Sequence, residues 1–271
     1  MIKPIETETL QFDNQCLLLS ITIPSGCLHI LDKISGIAWT TPAASCGNLV
    51  VQKVGQEKCY GLGQKGDTGV LFHVERYAVR AGDEEDFEEI TLCGSLGDDP
   101  DSQITIQYLL STSNPIIDCH LFLSGPVAES IRHLEFPAGI EFPLSPSNHL
   151  YLPLDLSLLR SLEECGPQLP LWEPVDKENH QVYGSPFVIL TKTETEEKSA
   201  ACIGYLHDPR CHWQIRLKPG LRSIVPTTAQ PAETGYVENK PYTFRYQFFP
   251  SNQLQAIYWL CYEHLSKEGT P

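Results

Sequence analysis

Tyr242-Thr243-Phe244-Arg245-Tyr246-Gln247-Phe248 alternates aromatic with polar side chains without a break. Successive side chains of a strand point to opposite faces of a sheet, so this stretch has one face to bury and one to wet. The same period of two recurs along the chain. Leu17, Leu19, Ile21 and Ile23 alternate with Leu18, Ser20 and Thr22. Ile104, Ile106, Tyr108 and Leu110 alternate with Gln103, Thr105 and Gln107. Ile117, Cys119, Leu121 and Leu123 face away from Asp118, His120 and Ser124, and Trp213, Ile215 and Leu217 alternate with His212, Gln214 and Arg216. Further strands are expected near 27–31, 48–54, 70–80, 87–93, 131–142, 187–191 and 200–206. Pro24-Ser25-Gly26, Gly97-Asp98-Asp99-Pro100-Asp101 and the polar tip 193–198 read as the turns of hairpins. The fold class that follows is all-β.

Two segments break the rhythm. After Pro250, Ser251 is placed to cap a helix over 251–267, with Leu254, Ile257, Tyr258, Cys261 and Leu265 as its apolar stripe and Gly269 just past its end. Trp259 and Tyr262 widen that stripe, so the helix is expected to bury against two partners. Residues 143–186 are proline-rich and read as a long irregular insertion that packs through its leucines and Trp172.

Composition excludes several classes. Of 271 residues, 41% are hydrophobic and 20% charged, enough for a sizeable core and too apolar for general disorder. Acidic residues outnumber basic ones 34 to 19, a net charge of −15 that repels nucleic acid. The longest apolar run, 256–262, is too short to span a membrane, and the opening Met1-Ile2-Lys3-Pro4 has no secretory core, so a cytoplasmic location is expected. The 10 cysteines include no Cys-x-x-Cys pair and are expected to be buried structural thiols. Cys202, His207, Cys211 and His212 are too loosely spaced to be counted as a metal site.

No cofactor motif is present: there is no nucleophile elbow, no phosphate-binding loop and no dinucleotide fingerprint. The acidic clusters 83–89 and 98–101 read as solvated turns, calcium being the sharper alternative. Two polar strand faces carry more chemistry. His212, Gln214 and Arg216 share one face of their strand, and Thr243, Arg245 and Gln247 share one face of another. His120 and Asp118 add to such a surface. Planar and forked donors suit sugar hydroxyls, and a ring such as Trp172 can stack on a sugar face. His212, Gln214, Arg216, Arg245, His120 and Trp172 are therefore the candidate substrate-binding residues. Asp155, Glu163, Glu164, Glu173, Asp176 and Asp208 lie in irregular segments, but no spacing selects a catalytic pair among them.

The opening, from Leu10-Gln11-Phe12 through Leu28-His29-Ile30-Leu31-Asp32-Lys33-Ile34-Ser35-Gly36-Ile37-Ala38-Trp39, resembles the start of the N-terminal β domain of several glycoside hydrolases. Leu134-Glu135-Phe136-Pro137 before a proline-rich stretch is similar too, as is the strand ending in Phe249-Pro250 before an amphipathic helix. The domain type this resemblance implies is the antiparallel β-supersandwich, or galactose mutarotase-like fold, as one domain over 1–271. In those enzymes the closing strand and helix lead into a catalytic (β/α)8 barrel. A barrel alone takes about 250 residues, so none fits within this chain. No catalytic residue carries over.

The resemblance thus implies a non-catalytic, carbohydrate-associated domain, without metal or cofactor, that packs on a glycosidase barrel or self-associates through its last helix. One alternative is a stand-alone mutarotase or epimerase, pairing His120 or His212 with Glu233 or Glu238. The other is a structural β-sandwich with no affinity for sugar.

Overall fold

In the computed structural model the alternating stretches pair into antiparallel sheets. The structure describes residues 8–23, 27–40, 51–53, 60–62, 70–81, 87–96, 99–125, 131–134, 136, 139–143, 145, 148–151, 181–183, 187–195, 198–208, 211–218, 221–228 and 240–249. The first strands are β1 (Glu8–Asp13), β2 (Leu17–Ile23), β3 (Cys27–Asp32), β4 (Ile37–Thr40), β5 (Val51–Lys53) and β6 (Tyr60–Leu62). Then come β7 (Val70–Ala81), β8 (Phe87–Leu96), β9 (Asp99–Ser111), β10 (Ile116–Ser124), β11 (Ile131–Leu134), β12 (Ile140–Pro143) and β13 (His149–Tyr151). The last are β14 (Gln181–Tyr183), β15 (Phe187–Thr195), β16 (Lys198–Leu206), β17 (Cys211–Lys218), β18 (Leu221–Thr228) and β19 (Tyr242–Phe249).

Among the described residues, one sheet has eight strands in the order β1-β2-β3-β4-β12-β18-β17-β14, and the other has nine in the order β13-β15-β16-β19-β10-β9-β8-β7-β6. β11 pairs separately with β5. Both large sheets draw strands from both halves of the chain. In the nine-stranded sheet β10 joins the two halves, pairing with β9 on one side and β19 on the other.

The inner faces of the two sheets share one core. Trp213 of β17 meets Tyr246 of β19 at a ring separation of 6.4 Å, and Trp39 of β4 meets Phe248 at 6.2 Å. Phe136, from the link between β11 and β12, closes on Tyr242 and Phe244 at 5.7 and 5.3 Å. The aromatic phase of 242–248 is therefore the phase that binds one sheet to the other. Burial pushes the Cys119 and Cys202 thiols and the Tyr108 and Tyr246 phenols well up, so these groups stay protonated. Cys119, Cys202 and Cys211 are buried, and Cys16 and Cys93 are half-buried.

The Asp32–Trp39 spacing has a local cause. The buried Asp32 carboxylate accepts hydrogen bonds from the Ile34 and Ser35 amides (3.0 and 3.3 Å) and from the Ser35 hydroxyl (2.6 Å). This turn ends on Gly36 at φ 69°, a left-handed backbone that glycine adopts without strain. β4 then starts in the phase that sends Ile37 and Trp39 inward. Asn14 ties the same end of the sandwich together. Its Oδ1 accepts from the Cys16 and Leu17 amides, and its Nδ2 donates to the Ser111 and Asn114 carbonyls beside the β9–β10 turn.

Several expectations change. The strand expected over 131–142 is two strands in different sheets, because Pro137 has no amide to continue a ladder. The turn expected at 97–101 is shorter: β9 begins at Asp99, which pairs with Leu96 across a register shift. The insertion 143–186 contributes two edge strands, β13 and β14, too short to show any periodicity. The helix over 251–267 and Trp172 lie outside the described residues. Among the described residues no helix is long and apolar enough to cross a membrane, and no three His, Cys, Asp or Glu side chains are grouped to hold a metal ion.

Candidate functional site

The outer face of the nine-stranded sheet changes character along its width. Over β15 and β16 it is sealed: Phe187, Ile189 and Ile203 are fully buried and Tyr205 nearly so, although Val188, Leu190 and Cys202 on the opposite face already fill the core. Phe187-Val188-Ile189-Leu190 and Ala200-Ala201-Cys202-Ile203 are continuous apolar runs, as strands buried on both faces require. From β19 onward the outward residues Thr243, Arg245 and Gln247 are half-buried and polar. A polar floor thus begins where the sealed region ends.

Register builds that floor in two rows. One row crosses β8, β9, β10, β19 and β16 as Glu89, Leu109, Asp118, Arg245 and Tyr205. The next crosses β8, β9, β10 and β19 as Thr91, Gln107, His120 and Thr243. Asp118 and Arg245 form a two-pronged ion pair, with Nε donating to Oδ1 at 2.6 Å and Nη2 to Oδ2 at 2.9 Å. Their side chains are only 12% and 26% exposed, so solvent screens the pair weakly. Glu89 Oε1 accepts from Gln107 Nε2 at 3.1 Å and from the Thr91 hydroxyl. His120, in the second row, feels both of these carboxylates, and its ring is edge-on to Phe122 at 6.4 Å.

Burial lowers the His120 pKa below its ordinary value near 6.5. Arg245 lowers it further, while Asp118 and Glu89 oppose the shift. At neutral pH the imidazole is therefore neutral, with one donor and one acceptor nitrogen. A base held below its unfolded pKa contributes fully to stability above that value and less as pH falls through it. Unfolding free energy is expected to fall on acidification below about pH 6.5. His120→Asn should flatten that part of the profile, as measured by urea denaturation between pH 5 and 8. An unchanged slope would show that His120 does not titrate differently in the fold.

The sequence-derived candidates separate. His120 and Arg245 come together with Asp118 between them. His212 does not join them: Trp213 beside it points into the core, so His212 lies on the outer face of the other sheet. Gln214 and Arg216 follow on β17, paired with Val225 and Ser223, and their side chains lie outside the described set. Glu233 and Glu238 are also outside it. Glu89 and Gln107 also belong to the site: Glu89, expected in the solvated acidic turn 83–89, is instead half-buried within β8, and Gln107 reads from sequence only as the polar phase of its strand. A separate groove of about 360 Å³ lies between Asn14 and Ser111. Its Lys33 is taken up by Asp13 and the Asn14 carbonyl.

No protein-family model matches the sequence, and no curated protein does. Solved structures do. An α-N-acetylgalactosaminidase, NagBb from Bifidobacterium bifidum in complex with Gal-NHAc-DNJ, matches over 96% of this chain with a TM-score of 0.71 and 11% identity. A GH36 α-galactosidase, AgaB from Geobacillus stearothermophilus, matches over 93% with a TM-score of 0.52 and 10% identity. The chain spans 39% of the first and 41% of the second. It therefore has the fold of a β-sheet portion of glycoside hydrolases, as the residues from Leu10 to Trp39 led us to expect.

Proposed function

We propose that this chain is a non-catalytic, carbohydrate-associated β-supersandwich of the galactose mutarotase-like type, serving a glycoside hydrolase. The observation that carries this reading is one of proportion: nearly the whole chain superposes on 39% of an α-N-acetylgalactosaminidase. In this reading a (β/α)8 catalytic barrel packs against the domain, and the helix over 251–267 gives its second apolar side to that barrel or to another copy. The polar floor around His120 and Arg245 is the surface that meets sugar. The described carboxylates there are held by Arg245, Thr91 and Gln107, which suits binding better than hydrolysis.

The chain alone is expected not to turn over aryl α-galactosides. Turnover abolished by replacing one carboxylate would contradict a non-catalytic role. A second reading, a mutarotase-like enzyme, draws support from His120, which lies within electrostatic reach of Asp118 and Glu89. Polarimetry separates the two: accelerated anomer equilibration of galactose, lost in His120→Asn, would favour the enzyme.

A further inference from the structure

The only described cation on the polar floor, Arg245, is already committed. Its Nε and Nη2 meet both oxygens of Asp118, the edge of the guanidinium that best fits an incoming carboxylate or phosphate. An anionic ligand approaching the remaining N–H groups would meet a cation whose charge Asp118 already offsets, and displacing Asp118 would leave that largely buried carboxylate unpaired beside a second negative charge. Glu89, on the far side of Gln107, adds a further negative charge to the floor. A hydroxyl group meets no such obstacle. It can donate to the remaining carboxylate lone pairs, and it can donate to or accept from the neutral His120 ring.

We infer that Asp118 determines the specificity of this polar floor: by holding Arg245 it selects uncharged, hydroxyl-rich pyranosides and rejects acidic sugars. The inference rests on the carbohydrate-associated reading of the domain and adds the charge class of its ligand. Arg245 is a latent anion site, masked by an internal carboxylate that occupies the place of a ligand's own.

The test is an NMR titration of the ¹⁵N-labelled chain with methyl α-galactopyranoside and, separately, with galacturonate. The galactoside is expected to shift amides of β8, β9, β10 and β19, with galacturonate at least about tenfold weaker. Asp118→Asn should bring galacturonate to equal or tighter binding, and adding Arg245→Gln should abolish that gain. If Asp118→Asn fails to fold, Glu89→Gln leaves the ion pair intact and should still strengthen galacturonate binding a few-fold. Equal affinity for both sugars in the native chain would overturn the inference. So would an unchanged preference in a folded Asp118→Asn or Glu89→Gln. Galactoside shifts confined to other strands would overturn it while leaving the carbohydrate reading standing. No response to either sugar would remove both.

Discussion

Arg245→Ala is expected to lower stability by about 2–3 kcal/mol, more than most exposed-strand substitutions cost. Removing one member of a buried ion pair costs about 3–5 kcal/mol, because the survivor keeps its charge in a poorly solvated place. Asp118 is 12% exposed, close to that limit, while the space left by the 26%-exposed Arg245 admits water and softens the penalty. The cause is thus the stranded carboxylate rather than the lost arginine contacts. It follows that Asp118→Ala combined with Arg245→Ala should cost clearly less than the sum of the two single changes. Urea denaturation of the four proteins closes the cycle. Additive losses would mean that the fork contributes nothing of its own.

Gly204→Ala should cost a similar amount for a different reason. A Cβ at this position would lie 2.5 Å from Cη2 and 2.8 Å from Cζ2 of Trp213, and 3.1 Å from Val188. Trp213 is fully buried against Tyr246 and has nowhere to swing. Replacing a strand glycine ordinarily gains about 0.4–1 kcal/mol from the unfolded chain. Overpacking a dense core costs about 1–3 kcal/mol, and contacts this short belong at the upper end, so the clash decides the sign. Trp213→Phe removes the six-membered ring that the new methyl would strike. The combined variant should therefore melt well above the temperature that the two single losses together predict. Strict additivity would show that the ring is not what Gly204 makes room for.

Much of the architecture is legible in the sequence, and the reason is the period of two. The burial of Leu17, Leu19, Ile21 and Ile23, and of Tyr242, Phe244, Tyr246 and Phe248, follows directly from their alternation. The Asp32–Gly36 turn carries its own chemistry in a carboxylate, a hydroxyl and a glycine, so the residues that resembled a known domain are those that fix a strand-to-strand geometry. The split of 131–142 was less legible, since a single proline separates strands that join different sheets.

The site was only half legible, and the missing half is register. Periodicity tells that Arg245 and His212 both point out of their sheets, but not that they point out of different ones. Glu89 comes near His120 because β8 pairs with β9 and β9 with β10, a relation set by two hairpins that no residue spacing reveals. The sealed face of β15 and β16 was hidden likewise. An apolar run of four or five residues is equally compatible with one partner layer or two.

Which face meets sugar can be read most directly by photo-crosslinking. The chain is irradiated with a diazirine-bearing galactoside, with and without excess free galactose, and the adducts are mapped by peptide mass spectrometry. The account predicts galactose-competed adducts on β8, β9, β10 and β19, around Gln107, His120 and Arg245. Competed adducts on β17 around His212 instead, or no adduct that galactose suppresses, would contradict it.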